Sequence, residues 1–170
     1  PKVYPDSAEA TVMPASPRTK SAAKETLENG HELIIHFPFD PFLSLDLPKD
    51  RVSPEDLEKV AKLWKKCLVD IPGAVGVNNH RSYKATMNRP LMAAFMELVK
   101  AKGMYFVDSG VSAKSVARDE AAKAGVRTAR GTIFLDEARK HDKPFCVKML
   151  RRAARHAKKN GWALAIGHHY

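Results

Sequence analysis

Short apolar runs alternate along this chain with longer stretches of helical period. Ala10-Thr11-Val12-Met13 reads as a strand stopped by Pro14. Arg18 to Glu28 reads as a helix carrying Ala22, Ala23 and Leu27 on one side, ended by Asn29-Gly30. His31 to His36 is a second strand, and its Leu33-Ile34-Ile35 run suits burial on both faces. Ser53-Pro54-Glu55-Asp56 opens a helix with a capping serine, a first-turn proline and acids that complement the helix dipole. Its apolar stripe is Leu57, Val60, Ala61, Trp64, Cys67 and Leu68, and Ile71-Pro72-Gly73 stops it. Ala74 to Val77 is a third strand, followed by a loop through Thr86. A helix from Asn88 to Ala101 is buried along Leu91, Met92, Phe95, Leu98 and Val99. The pattern then predicts a strand over Met104–Val107, a helix over Ala113–Ala124 and an extended run over Thr132–Asp136. A helix over Lys143–Lys159 and a strand over Trp162–Ile166 complete it.

That alternation places the chain in the α/β class, with a parallel sheet and helices outside it. An open doubly wound sheet and a (β/α) barrel both fit the order. Polar residues ending several separate strands favour the barrel. No Gly-x-Gly-x-x-Gly follows a strand and no phosphate-loop lysine pattern exists, so a nucleotide site has no support. Phe37 to Val52 holds too many prolines for a helix and reads as a long ordered loop, the kind that usually carries function.

At 170 residues the whole chain, 1–170, is expected to form one domain with a real core. No apolar run approaches the roughly 20 residues of a membrane helix. The residues before Pro14 lack the basic start and apolar centre of a signal peptide. The chain begins at Pro1, so an upstream leader stays open. A formal charge of +10 brings nucleic acid, anionic envelope polymers and anionic membrane surfaces into view. The basic block Lys148, Arg151, Arg152, Arg155, Lys158 and Lys159 has no interleaved aromatics, however, and reads as a solvated helix face; no nucleic-acid partner is expected. Cys67 and Cys146, far apart and each on the apolar side of a helix, read as buried thiols.

Chemistry-bearing residues gather at four strand ends: His36, the run Asn78-Asn79-His80, Asp108 and His168. His36 suits either a metal ligand or a hydrogen-bonded histidine at a core edge. His31, five residues earlier and facing the other way, cannot share its ion. Asp40 follows His36 by four residues, where a turn could bring both to one cation. Three consecutive polar residues at a buried strand end leave many groups to satisfy, which points to function. Asp108-Ser109-Gly110 also suits a simple Asx-turn. Taken together, imidazoles and a carboxylate at the ends of one parallel array suit metal-assisted hydrolysis: N/O ligands, a carboxylate to manage a proton, and an acid for the leaving group.

The runs Gly30-His31-Glu32-Leu33-Ile34-Ile35-His36-Phe37-Pro38, Gly73-Ala74-Val75-Gly76-Val77-Asn78-Asn79-His80, Phe106-Val107-Asp108-Ser109 and Ala165-Ile166-Gly167-His168 resemble the divergent polysaccharide deacetylases. Lys114-Ser115-Val116-Ala117 and Phe134-Leu135-Asp136 match that family too. The resemblance implies a distorted (β/α) barrel and metal-dependent removal of N-acetyl or O-acetyl groups from sugars. By position it implies His36 as first metal histidine, Asp40 where the superfamily has its second, and His80 as a further metal nitrogen. It implies His168 as general acid, with Asp108 as a catalytic candidate and Asn78, Asn79 and Ser109 as substrate contacts. Two departures stand out. The Asp-Asp strand with which the family opens is not found, so the first strand is expected to be upstream or lost. The loop Arg81-Ser82-Tyr83-Lys84 also replaces the family's Met-Gly-Ser.

The sequence therefore leads to a metal-dependent carbohydrate deacetylase-like hydrolase using a divalent ion, zinc by preference. Its partner would be an acetylated polysaccharide or peptidoglycan-like glycan, and its place, by the resemblance, periplasmic or extracellular. The alternative is a non-catalytic glycan-binding domain with a degenerate site.

Overall fold

The strand order decides between the two sheet types. A computed structural model describes residues 9–137 and 139–168. It contains β1 (Glu9–Val12), α1 (Thr19–Glu28), β2 (Glu32–Pro38), α2 (Pro54–Asp70), β3 (Gly76–His80), α3 (Tyr83–Met87) and α4 (Arg89–Lys100). These are followed by β4 (Tyr105–Asp108), α5 (Ala117–Ala124), β5 (Thr128–Arg130), β6 (Ile133–Phe134), α6 (Lys143–Asn160) and β7 (Ala165–Ile166). Strands β1 to β5 form one parallel sheet in chain order, and β6 pairs with β7 in a second parallel pair. A doubly wound sheet reverses its order at a switch point; this one never does. Successive right-handed crossovers in unbroken order put every helix on the same side, as in a barrel wall. Among the described residues the wall is not closed.

The core confirms that sidedness. Leu33, Ile35 and Phe37 of β2, Val77 of β3 and Phe106 of β4 share one sheet face and one buried cluster with Val60, Trp64 and Cys67 of α2 and Leu91, Phe95 and Val99 of α4. Phe95 is at its centre, with its ring 4.8 Å from both Phe37 and Phe39 and 5.5 Å from Trp64. Phe95→Ala should cost about 3–5 kcal/mol in denaturant unfolding, because it removes a fully buried ring from three aromatic neighbours.

The long proline-rich segment is ordered by that core. Phe39 is fully buried, and Leu43, Leu45 and Leu47 pack against the cluster. Asn88 ties the loop down: its amide nitrogen donates to the carbonyls of Pro48 (3.1 Å) and Arg51 (2.7 Å), while its Oδ1 caps α4 at Leu91.

Several expectations need correction, among them the strand expected over Trp162–Ile166, which is limited to Ala165–Ile166. The loop predicted after β3 contains α3, whose first amides are captured by a carboxylate far away in sequence (below). The helix expected from Ala113 starts at Ala117, because Ser112 and Ser115 take the amides of Lys114 and Ala117 for side-chain turns. The strand expected over Thr132–Asp136 shrinks to Ile133–Phe134, and β5, Thr-Ala-Arg, precedes it. Cys146 is only half-buried, because α6 packs lightly: Ala153 is its one buried residue among those described. Cys67 is buried as expected, and burial pushes its thiol up to about 12. The basic residues of α6 are exposed.

The second sheet is held against the first by close backbone approach. A Cβ on Gly131 would lie 2.7 Å from Ile166 Cδ1 and 3.0 Å from the Ser109 carbonyl, so a side chain there would displace Ile166 and crowd the end of β4. The Gly131 amide also donates to the Asp108 carbonyl at 2.7 Å.

Candidate active site

Strand alternation sorts the polar residues at the rim. His36 and Asn78 are register partners, as are Phe37 and Asn79, so the first pair faces away from the helices and the second pair toward them. β3 runs on through His80 rather than ending at Val77, and this splits the three consecutive polar residues between two faces. Beneath Asn78, the Tyr105 ring covers Gly76 so closely that a Cβ there would lie 2.5 Å from it. The Tyr105 hydroxyl donates to Glu32 at 2.8 Å.

On the face away from the helices, His36 Nδ1 lies 2.7 Å from Asn78 Oδ1 and His36 Nε2 lies 2.6 Å from His80 Nδ1. The two rings stand edge to face at 4.5 Å, and Phe42 packs on His80 at 4.9 Å. Burial lowers the His36 pKa to about 4; Asn78 opposes this, and the charges of His80 and His168 add to it. The His80 pKa is lowered by burial, then by Arg81 and His168. Both rings are therefore neutral near pH 7, the form in which an imidazole binds a cation.

His168 comes from the second sheet. Its Nδ1 lies 2.7 Å from Asp136 Oδ1, and its backbone amide donates to Asp136 Oδ2 at 2.6 Å. Burial works to raise the Asp136 carboxyl, but the two hydrogen bonds from His168, with the charges of His168 and His141, outweigh it and hold it below the usual range. A carboxylate accepting from Nδ1 fixes the orientation of the ring and, in its neutral form, keeps the proton on Nδ1. The charge of His168 is felt at both His36 and His80, which puts all three imidazoles in one field. Asp136 belongs to a matched family segment but not among the site residues expected from sequence. Its position beyond a short strand gave only the signal of an acid ending an apolar run.

The remaining candidates lie elsewhere. Asp40 does not join the histidines in a three-donor cluster: its carboxylate accepts the amides of Lys84 (3.1 Å) and Ala85 (2.7 Å) and so anchors α3. Among the described residues no three His, Cys, Asp or Glu side chains stand together as a metal cage. Asp108 follows Val107, the register partner of Asn78, so it faces the helices rather than the histidine pair. Its Oδ1 takes the Gly110 amide at 2.9 Å in an Asx-turn, and its buried Oδ2 has Arg130 Nε 3.9 Å away, beyond hydrogen-bond length. Asn79 is fully buried, with Oδ1 on the Ser109 amide (2.9 Å) and Nδ2 on the Arg81 carbonyl (2.9 Å).

Solved structures of similar shape come from two directions. The uncharacterized protein ATU2773 of Agrobacterium tumefaciens matches over 94% of this chain and 65% of its own, with a TM-score of 0.80 at 17% identity. A family 2 AP endonuclease of Brucella melitensis matches over 95% of this chain and 81% of its own, with a TM-score of 0.51 at 8% identity. At such identities the likeness concerns the fold alone. In sequence, the uncharacterized protein YibQ of Escherichia coli is 30% identical over 96% of this chain and 51% of its own length. An uncharacterized Haemophilus influenzae protein is 29% identical over 92% of this chain and 56% of its own. The chain thus spans about half the length of the curated relatives it matches. Residues 6–170 match the divergent polysaccharide deacetylase family, the same family to which the strand-end motifs pointed, and the chain belongs to it.

Proposed function

We propose that this chain is the hydrolytic domain of a metal-dependent carbohydrate deacetylase acting on an acetylated envelope polysaccharide or peptidoglycan-like glycan. The observation that carries the reading is the approach of His36 Nε2 and His80 Nδ1 to 2.6 Å, in the field of a His168 braced by Asp136. In the metal-free chain these two neutral imidazoles share one N–H···N hydrogen bond; with that proton displaced and the rings parted, the same two nitrogens would serve one divalent ion, and an all-nitrogen start favours zinc. His36 and His80 would hold it. What such an ion supplies is Lewis acidity toward an acetyl carbonyl and a lowered pKa for attacking water. The chain's own contribution to the chemistry is His168: protonated, it passes the Nε2 proton to the departing sugar amine or alkoxide, while Asp136 keeps the ring oriented and balances its charge. Phe42, half exposed beside His80, offers an apolar surface against which a sugar ring can lie. The partner's setting is the cell envelope, periplasmic or extracellular. No helix among the described residues is long and apolar enough to cross a membrane.

A second reading has its own support. A zinc centre uses three protein ligands, and the described residues bring two nitrogens together without a third donor. A glycan-binding domain with an incomplete centre fits that count. One experiment separates the two: zinc titration of the full-length protein, with acetate release from N-acetylated chitooligosaccharide and peptidoglycan measured before and after chelation. Zinc binding with chelator-sensitive, zinc-restored acetate release supports the deacetylase. Glycan binding without turnover and without zinc uptake would leave the binding domain as the correct reading.

A further inference from the structure

The hydrogen bonds around His36 run in one direction, and a backbone carbonyl sets it. Ser109 Oγ lies 2.6 Å from the carbonyl oxygen of Asn79. A hydroxyl has one proton and a carbonyl can only accept, so the Ser109 proton is committed there. Toward Asn78, 3.3 Å away, Ser109 Oγ can then only accept, which requires the Asn78 NH2 group to face it. The Asn78 amide is thereby oriented, and its Oδ1 is the atom 2.7 Å from His36 Nδ1. An amide oxygen accepts, so His36 carries its proton on Nδ1 and a bare lone pair on Nε2. That lone pair faces His80 Nδ1 at 2.6 Å, which must carry a proton in the metal-free protein and leaves His80 Nε2 bare. The opposite Asn78 orientation would set its amide oxygen against a hydroxyl oxygen whose proton is already used.

We propose that Ser109 and Asn78 are positioning residues: a relay anchored on the Asn79 carbonyl that locks the tautomer of His36 and with it the polarity of the His36–His80 pair. Sequence placed both among substrate contacts. In the structure Asn78 is 3% exposed and Ser109 4%, and the polar atoms of both side chains are spent on the relay. Asn79 steadies the anchor, holding Ser109 through its carbonyl and its Oδ1. The relay itself rests on donor and acceptor count; only its purpose, to present His36 Nε2 to a cation, rests on the function proposed above. A ligand's outer hydrogen bond sets which nitrogen is free to bind and how basic it is.

Long-range ¹H–¹⁵N spectra of the histidines, recorded on metal-free full-length protein near pH 7.5, test this directly. The wild type should show both His36 and His80 protonated at Nδ1. Ser109→Ala should free the Asn78 amide, give His36 a mixture of tautomers, and weaken zinc binding by about 10–100-fold. Ser109→Thr, which keeps the hydroxyl, should restore the single tautomer. Added zinc should leave His36 unchanged and move the His80 proton from Nδ1 to Nε2. A wild-type His36 protonated at Nε2, or a Ser109→Ala variant with an unaltered tautomer, would overturn the relay. The wild-type spectrum decides the assignment even where a variant fails to fold. Expected tautomers without zinc uptake would leave the relay standing and remove the metal reading.

Discussion

His36→Ala should weaken zinc binding by the full-length protein more than about 100-fold, read by competition titration against a chelator, and should abolish the acetate release proposed above. The expected loss exceeds the 10–100-fold typical of removing an outer hydrogen bond, because a donor itself is lost. His36 is the better placed of the two nitrogens. Its pKa of about 4 keeps it unprotonated across the physiological range, so protons do not compete for Nε2. Asn78 orients it, and the strand beneath it, Leu33-Ile34-Ile35, is buried completely or nearly so. His36→Gln guards against a trivial collapse of the site, since it fills the space with a polar group of poor affinity for zinc. Unchanged zinc affinity in both variants would remove His36 from the centre and the proposed mechanism with it.

Asp136→Asn should reduce turnover by about 10²–10⁴-fold while leaving zinc affinity within a factor of about two. The asymmetry follows from the two hydrogen bonds. Asp136 accepts from the His168 amide through Oδ2 and from Nδ1 through Oδ1. An asparagine keeps only one acceptor. With its oxygen on the backbone amide, its NH2 group faces Nδ1 and forces the proton onto Nε2. A neutral ring in that state gives up its Nε2 proton only by becoming an anion, so it is a poor acid. Equal losses of activity and zinc affinity would mean that Asp136 acts through folding rather than through His168.

Much of the fold could be read from local pattern because it is made locally. The helix opened by Ser53-Pro54 has its serine cap 3.0 Å from the Asp56 amide, as the spacing predicts, and the Val60–Trp64–Cys67 stripe is buried. β5 was not legible: Thr128-Ala129-Arg130 has no apolar run, and pairing with β4 alone makes it a strand. Nor was α3, whose first amides are met by Asp40 more than forty residues earlier in sequence. That same contact keeps Asp40 out of the histidine pair. A turn after His36 was a fair local reading; a helix start competing for the carboxylate was invisible to it.

The candidate site divides along the same line. Sequence alone was enough to mark His36, His80 and His168 as strand-end imidazoles, since short apolar runs delivering polar groups to a rim are a local pattern. It could not tell Asn78 from Asn79, because the strand's end was misplaced by three residues and facing alternates with every one. Nor could it give His168 its partner: Asp136 lies thirty-two residues away, and only the β6–β7 pairing sets them side by side. Helices, caps and apolar runs are decided by neighbours in sequence, and the chain states them itself. Which carboxylate grips which imidazole, and which nitrogen is left bare, depends on strand register across the sheet, and that exists only once the sheet has formed.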